Sequence, residues 1–340
     1  MRFCRGKLII AVLVAGALPL IRARGWAQSA ITPAVNQADA EGLLSQPGPT
    51  FVVQAKEIPK HWSVIAYGDT RFTDPANTKV TNPKVRQWLV EKIASEHPDA
   101  LLITGDLPYN GSNEGDYEVF DKETEAWRTE KLRVYPALGN HEIAHNSAKG
   151  IENWWATFPE LKHRRWYSVE FGNAYFVALD SNLALTPGSE QARWLVEQFA
   201  HLPEQTRFVL VEVHHPPVAD TTPPQTHMVG PNEKSLAEFL EAQAPTLKAK
   251  IVVIAGHTHN YERFKEGGIE YLVSGGGGAQ PYVVTRDAKD MYKNPPAVNY
   301  HYIRFEFDGK KLNATMYRVD EDAEAPAFEA KDSFSVTSEQ

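Results

Sequence analysis

Five short apolar runs, each followed at once by polar residues, are the feature that most constrains how this 340-residue chain can fold. The polar ends read Gly-Asp, Gly-Asp, Gly-Asn-His, His-His and Gly-His-Thr-His, at residues 68–69, 105–106, 139–141, 214–215 and 256–259. Helical spacing at residues 85–95, 190–200 and 235–243 separates several of the runs. In α/β proteins, ligands bind at the carboxyl ends of the strands. We therefore expect the polar side chains to converge on one site.

The residues at these strand ends are of the types that bind metal ions through oxygen and nitrogen. His257 and His259 alternate along an extended segment, so their side chains project to the same side. Taken alone, an Asp after Gly or an Asn-His pair is more often a turn or a helix cap. The joint occurrence of all five ends indicates a metal site, and the donor types suit Fe, Mn, Zn or Mg.

The N-terminal segment has the layout of a secretory signal peptide. An apolar run at residues 8–21 follows three basic residues and precedes Gly25-Trp26-Ala27, which predicts cleavage after Ala27. The run is shorter than the roughly 20 apolar residues that span a membrane. Two arginines after the run, Arg22 and Arg24, leave an uncleaved N-terminal anchor as the alternative. We expect an exported protein, periplasmic or secreted, without membrane contact unless this segment is retained.

The composition of the remaining chain excludes several classes of partner and site. Removing residues 1–27 takes away five basic residues and no acidic one, so the formal charge moves from −8 to −13. Nucleic-acid binding is not expected of such an acidic body. The only cysteine, Cys4, lies before the apolar run, so the mature chain has neither disulfides nor thiolate ligands. We expect a lead-in at residues 28–60 with one edge strand near Phe51, a catalytic domain at 61–320 and a C-terminal tail at 321–340.

The ordered set of strand ends resembles the metallophosphoesterase (calcineurin-like) superfamily, and within it the purple acid phosphatases. That subgroup's signatures GDxG, GDxxY, GNH(D/E), VxxH and GHxH are matched by the residues GDTR, GDLPY, GNHE, VEVH and GHTH at 68–71, 105–109, 139–142, 211–214 and 256–259. The resemblance covers residues 62–282. It implies an α/β fold in which two sheets form an αββα sandwich with the site at the strand ends.

Carried over position by position, the resemblance implies a site for two metal ions. The first ion is held by Asp69, Asp106, Tyr109 and His259, and the second by Asp106, Asn140, His214 and His257. Asn140 and His141 would also face the substrate, with His141 as a phosphate-contacting or proton-donating catalytic group. His227 resembles a second catalytic histidine, although a loop histidine in solvent is the alternative reading. His215 is expected to support a ligand or to pack.

Position 71 departs from the resemblance. Most of the superfamily has a ligand histidine there, whereas purple acid phosphatases lack it and use the tyrosine of the second signature. Arg71 and Tyr109 fit the second pattern, which implies Fe(III) at the first position and divalent Fe, Zn or Mn at the second. Arg71 is expected either to grip a phosphate oxygen of the substrate or to pair with a carboxylate.

The function implied is hydrolysis of small phosphate monoesters by hydroxide generated at the metal ions. A phosphodiesterase or nucleotide hydrolase using Mn or Zn is the alternative, and a non-catalytic metal-binding domain is the rival from another class. The glycines at 275–278 are not followed by Lys-Ser/Thr, which excludes a P-loop. They are expected to let the backbone pass close to the metal centre, with a role in substrate binding as the alternative.

Overall fold

The computed structural model describes residues 48–220, 229–293 and 299–339. The predicted signal peptide, the first part of the lead-in and His227 lie outside these residues. Within the described residues, no helix has the length and apolar character that crossing a membrane requires.

The strands that precede the predicted ligands fall where the five apolar runs predicted them. Their bounds are β1 (Phe51–Val53), β2 (His61–Tyr67), β3 (Ala100–Ile103), β4 (Val134–Pro136), β5 (Tyr167–Phe171), β6 (Ala174–Ala178), β7 (Phe208–Val213), β8 (Lys250–Ala255), β9 (Tyr261–Glu266), β10 (Ile269–Ser274), β11 (Tyr300–Asp308), β12 (Lys311–Val319) and β13 (Phe328–Thr337). The helices are α1 (Pro83–Ser95), α2 (Glu114–Glu123), α3 (Glu125–Thr129), α4 (Asn140–Ile143), α5 (Ser147–Thr157), α6 (Glu190–Ala200) and α7 (Pro231–Gln243).

Two mixed sheets form the layers of the fold. One has seven strands in the order β1-β5-β6-β7-β8-β10-β9, and the other has six in the order β13-β12-β11-β2-β3-β4. Strands β2, β3 and β4 run parallel, as do β6, β7 and β8. The loops that follow β2, β3, β4, β7 and β8 carry the predicted ligands. The two-sheet α/β sandwich expected from the sequence is confirmed.

Aromatic side chains fill the space between the two sheets. Trp62 of β2 stacks on Phe307 of β11, with ring centroids 3.7 Å apart, and lies 5.0 Å from the ring of Phe171 in β5. A second cluster forms on the outer face of the seven-stranded sheet, where the apolar sides of α6 and α7 cover β7 and β8. Helix α1 begins at Pro83, and the Asn82 side chain accepts a hydrogen bond from the Val85 N–H, which satisfies an N-terminal donor.

The predicted boundaries at the two ends of the domain have different outcomes. Residues 51–53 do form an edge strand, which pairs in parallel with β5. The tail predicted at 321–340 is wrong for residues 328–337, because these form β13 and pair antiparallel with β12 along its length. The charged residues of this strand concealed it, yet an edge strand with one open side tolerates such residues well.

Candidate metal centre

The loops after the strands are shaped by close backbone approach. Asp69, Asp106 and His257 have φ of 58°, 53° and 70°, in the left-handed region that costs a non-glycine residue energy. The glycines that precede them have no room for a side chain. A Cβ on Gly105 would lie 2.7 Å from both Gly139 N and His214 Nδ1. A Cβ on Gly256 would lie 2.5 Å from Asp69 Oδ2. The glycines of the strand-end motifs therefore allow the ligand loops to meet.

One group of converging donors matches the predicted second metal position. Asn140 Oδ1 lies 2.9 Å from His214 Nε2 and 3.0 Å from His257 Nδ1. Asp106 Oδ1 lies 3.3 Å from the same His214 nitrogen. His214 donates its other ring N–H to the carbonyl of Thr104 at 2.8 Å, which leaves Nε2 with a lone pair for a metal ion.

A second group matches the predicted first position. His259 donates its Nδ1–H to the carbonyl of Gln280 at 2.7 Å, and its Nε2 lies 3.4 Å from Asp69 Oδ1. Among the described residues, His259 Nε2 and Asp106 Oδ2 are buried without a hydrogen-bond partner. Buried polar atoms without partners are costly unless something else satisfies them. Ligand atoms of Asp69, Asp106 and His214, which come from both predicted positions, lie within 4.8 Å of one another and could hold a metal ion.

Asp106 stands between the two groups, as predicted for a bridging carboxylate. Burial by itself would raise the pKa of this carboxyl group. The electrostatic interactions with His214, His141 and Arg71, together with the hydrogen bond from the His141 N–H, outweigh burial and hold the pKa of Asp106 well below its usual range. Asp106 is therefore ionised at neutral pH and available to a cation.

His141 lies beside the centre, and its hydrogen bonds fix its tautomer. Its backbone N–H donates to Asp106 Oδ1 at 2.9 Å, and its ring Nδ1–H donates to the carbonyl of Tyr109 at 2.5 Å. The remaining ring nitrogen, Nε2, accepts from Arg71 Nη2 at 2.8 Å. Burial lowers the pKa of His141, Asp106 partly offsets this effect, and Arg71 adds to it. The ring is therefore neutral and orients Arg71, an arrangement that does not favour the predicted proton-donating role.

Arg71 lies close to a carboxylate, which was one of the two roles predicted for it. Its Nη2 lies 3.5 Å from Asp106 Oδ2, and its side chain is 15% exposed. Its guanidinium also interacts with the hydroxyl of Tyr282. No role was predicted for Tyr282, whose ring stacks on His259 with centroids 4.2 Å apart. The only sequence signal for Tyr282 was its position after the four glycines.

Tyr109 lies next to the centre, where its ring centroid is 5.6 Å from that of His141. Its role as a ligand of the first ion stays a prediction. His227 likewise stays a prediction, because it lies outside the described residues. His215 packs its ring against His257 at 4.3 Å and is held through its Nδ1 by Ser181 Oγ at 2.7 Å. Its ligand atom also lies within 4.8 Å of those of His214 and His257.

Glu142 ties together the loops that carry two of the ligands. Its buried carboxylate accepts hydrogen bonds from the N–H groups of Asp106, Leu107 and Gly139 at 3.1, 2.8 and 2.8 Å. Burial and the nearby charge of Asp106 raise the pKa of Glu142 to about 8, although the N–H donors favour its charged form. The third signature contained this residue, but its sequence position gave no indication of these contacts.

The glycines at 275–278 pass directly against the loops of the first metal position. Gly277 N–H donates to the carbonyl of Gly68 at 2.8 Å. A Cβ on Gly275 would lie 2.9 Å from Asp69 Oδ2, and one on Gly277 would lie 2.3 Å from the Gly68 carbonyl oxygen. The expectation that these glycines admit backbone close to the metal centre is confirmed.

The fold and this centre together define a metal-dependent phosphoesterase class, with oxygen and nitrogen ligands at the ends of strands from two sheets. The profile of the family described as calcineurin-like phosphoesterase matches residues 65–261, more than half of the chain. The chain belongs to this family.

Comparison with individual proteins gives two kinds of relative. The chain is 29% identical over 212 residues to a probable glycerophosphodiester phosphodiesterase GpdQ of Arcobacter nitrofigilis, which covers 60% of this chain and 73% of that protein. It is 27% identical over 186 residues to the probable purple acid phosphatase 20 of Arabidopsis thaliana, which covers 52% of this chain but only 42% of that protein. Among solved structures, the purple acid phosphatase PPD1 of yellow lupin superposes with a TM-score of 0.66 at 16% identity, over 82% of this chain and 54% of the lupin chain. This last similarity shows the fold.

Proposed function

We propose that this chain is an exported phosphatase that hydrolyses small phosphate monoesters with two metal ions. The observation that carries the proposal is the convergence of donors from four other strand ends around Asp106. Export is supported by the signal-like sequence of residues 1–27. Ions in such a centre polarise a phosphoryl oxygen and lower the pKa of water so that hydroxide is available near neutral pH.

The residues around the donors suit a monoester, which carries more negative charge than a diester. Arg71 and His141 are more exposed than the ligands Asp106 and His214, with side chains 15% and 18% exposed against 1% and 0%. They therefore line the approach to the centre. The planar guanidinium of Arg71 can donate two hydrogen bonds to one phosphate group. In this proposal, Arg71 orients the phosphate and Asn140 contributes its amide to the same group.

A substrate panel tests the proposal directly. The purified chain should hydrolyse p-nitrophenyl phosphate faster than bis(p-nitrophenyl) phosphate, with activity lost on chelation and restored by metal. Arg71→Gln should lower kcat/KM for the monoester more than for the diester, because only the monoester has the second negative charge. An equal loss for both substrates would contradict the assigned role of Arg71.

Hydrolysis of phosphodiesters is the second candidate, and its support is the similarity to the probable glycerophosphodiester phosphodiesterase. Faster turnover of the diester in the same panel would favour it. Asn140→Ala that kept full hydrolytic activity, or a metal-loaded chain without hydrolysis of either substrate, would instead favour the non-catalytic alternative.

The identity of the ions forms a separate part of the proposal. Tyr109 and the purple acid phosphatase relatives support trivalent iron at the first position with divalent Fe, Zn or Mn at the second. A tyrosinate ligand of trivalent iron gives a visible charge-transfer band, so the test is metal analysis together with an absorption spectrum. Tyr109→Phe should abolish the band, and loss of the band in Tyr282→Phe instead would assign the ligand to Tyr282. A chain without iron and without colour would leave a centre of two divalent ions.

A further inference from the structure

We infer that Arg71 makes the two metal positions unequal, because its charge weakens binding of the ion held by Asp69 and His259. The ion held by Asn140, His214 and His257 is then the more tightly bound of the two. This inference rests on the metal pair of the proposed function, but it does not depend on which ester is hydrolysed.

The guanidinium group of Arg71 lies next to the carboxylate that the two metal positions share. Arg71 Nη2 is 3.5 Å from Asp106 Oδ2 and hydrogen-bonded to His141 Nε2 at 2.8 Å. The hydroxyl of Tyr282 interacts with the same guanidinium, and the Tyr282 ring stacks on His259. Arg71 is thus held against the carboxylate that both positions share, on the side of the ligand His259.

The positive charge of Arg71 is permanent and poorly screened. A guanidinium group keeps its proton at any pH a protein tolerates, so Arg71 is a permanent cation. Its side chain is 15% exposed and that of Asp106 is 1% exposed, which limits screening by water and salt. A metal ion that binds the Asp106 carboxylate from this side therefore meets a positive charge only a few ångströms away.

The second metal position differs from the first in the groups that surround its oxygen of Asp106. The second oxygen of Asp106, Oδ1, lies 3.3 Å from His214 Nε2, and Asn140 Oδ1 lies 2.9 Å from that nitrogen. The donors here are imidazole and amide groups gathered around one carboxylate oxygen. Position 71 supplies the first ion with a repulsive neighbour and with no donor. This repulsion lowers the affinity of the first ion.

The test is calorimetric titration of the metal-stripped full-length chain with manganese(II) alone. The wild-type chain should show two binding events of different affinity. Arg71→Gln should raise the affinity of the weaker event about tenfold or more, because it removes a unit charge from the vicinity of a divalent ion. Arg71→His should raise it further by adding an imidazole ligand. Tyr282→Phe should give a smaller increase, because it releases one anchor of the guanidinium.

Two matched variants control for charge and for general damage. Arg71→Lys keeps the positive charge and should bind manganese as the wild-type chain does. Arg193→Gln removes the same charge from the exposed surface of α6 and should leave both affinities unchanged. Thermal unfolding of each variant checks that it is folded before titration.

Two results would overturn the inference. One is a wild-type chain that binds two manganese ions with indistinguishable affinity. The other is a weaker affinity that stays within about twofold of the wild-type value in both Arg71→Gln and Arg71→His. Hydrolysis by the same preparations at saturating manganese is measured separately. Its absence would remove the proposed phosphatase function and leave the difference in metal affinity standing.

Discussion

Replacement of Gly256 by alanine should disturb the first metal position through packing alone. The added Cβ would lie 2.5 Å from Asp69 Oδ2, 2.9 Å from the Thr104 carbonyl oxygen and 3.0 Å from Thr104 Oγ1. The Thr104 carbonyl cannot retreat, because it accepts a hydrogen bond from His214 Nδ1 at 2.8 Å. The Asp69 carboxylate must therefore move, and it is held by the backbone N–H of His257 at 2.9 and 3.1 Å.

The expected cost follows from the kind of contact. Forcing an extra methyl group into a packed site costs about 1–3 kcal/mol of unfolding free energy, and weakening the His257 hydrogen bonds to Asp69 adds to this value. The chain should still fold, since domains of this size have about 5–15 kcal/mol of stability. Because Asp69 is a predicted ligand, manganese affinity at its position should fall together with stability.

Urea unfolding followed by tryptophan fluorescence measures the first effect, and manganese titration measures the second. Gly115→Ala is the matched control. It lies near the start of α2, where the nearest neighbour of a new Cβ would be Asn113 Oδ1 at 3.3 Å, and alanine is favoured over glycine in helices by up to about 1 kcal/mol. A Gly256→Ala chain within about 0.5 kcal/mol of wild type, with unchanged manganese binding, would refute the packing argument.

Three further perturbations test the centre and the buried titratable groups. Manganese at a hundredfold excess over its Kd should stabilise the wild-type chain by about 2.7 kcal/mol, which is seen as a higher unfolding temperature. Asn140→Ala should reduce this increase in thermal melts. Burial lowers the pKa of His301 to about 3. The contribution of the neutral His301 to stability is therefore present above the unfolded pKa near 6.5 and is lost as the pH falls toward 3. His301→Gln should reduce this loss of stability in urea unfolding measured from pH 7 to 4. Burial raises the pKa of Glu262 to about 8, so stability falls as the pH rises from about 4.5 to 8. Glu262→Gln should therefore be more stable than the wild-type chain at pH 9, by about 1 kcal/mol or more. An equal or lower stability of this variant would contradict the assigned burial effect.

The sequence predicted the strands and the convergence of polar residues at their carboxyl ends well, because both depend on local properties. An apolar run followed by Gly and a polar residue predicts a buried strand and a sharp turn at its carboxyl end. Both features hold at Gly105 and Asp106, where positive φ and close contact with Gly139 require them. The sandwich then follows, because the two parallel sets of strands must present their carboxyl ends to the same side for the ligands to meet.

The elements that were not predicted depend on contacts between distant parts of the chain. Helices α2, α3 and α5 were missed, because their segments are rich in charged and aromatic residues and their apolar positions become clear only in the core cluster that they join. Strand β13 was missed because, as an edge strand paired only with β12, it carries charged residues that do not follow a strand-like apolar pattern. Tyr282 was missed for a related reason, since its stacking on His259 depends on how the glycine segment folds back across the centre.

The contrast between local sequence patterns and contacts made only in the folded chain also applies to the choice of metal ions. The resemblance to purple acid phosphatases implied that Tyr109 replaces the histidine missing at position 71 as a ligand, and therefore implied trivalent iron. The structure adds that the residue at position 71 is a cation 3.5 Å from Asp106 Oδ2. In the proposed function, Arg71 would supply part of the positive charge that a trivalent ion brings to a phosphate. Its repulsion also grows with the charge of the ion beside it, so it penalises a trivalent ion more than a divalent one. Manganese titration and the visible spectrum of the Arg71 variants therefore address one question, which is whether a protein cation has replaced part of the charge of a metal centre.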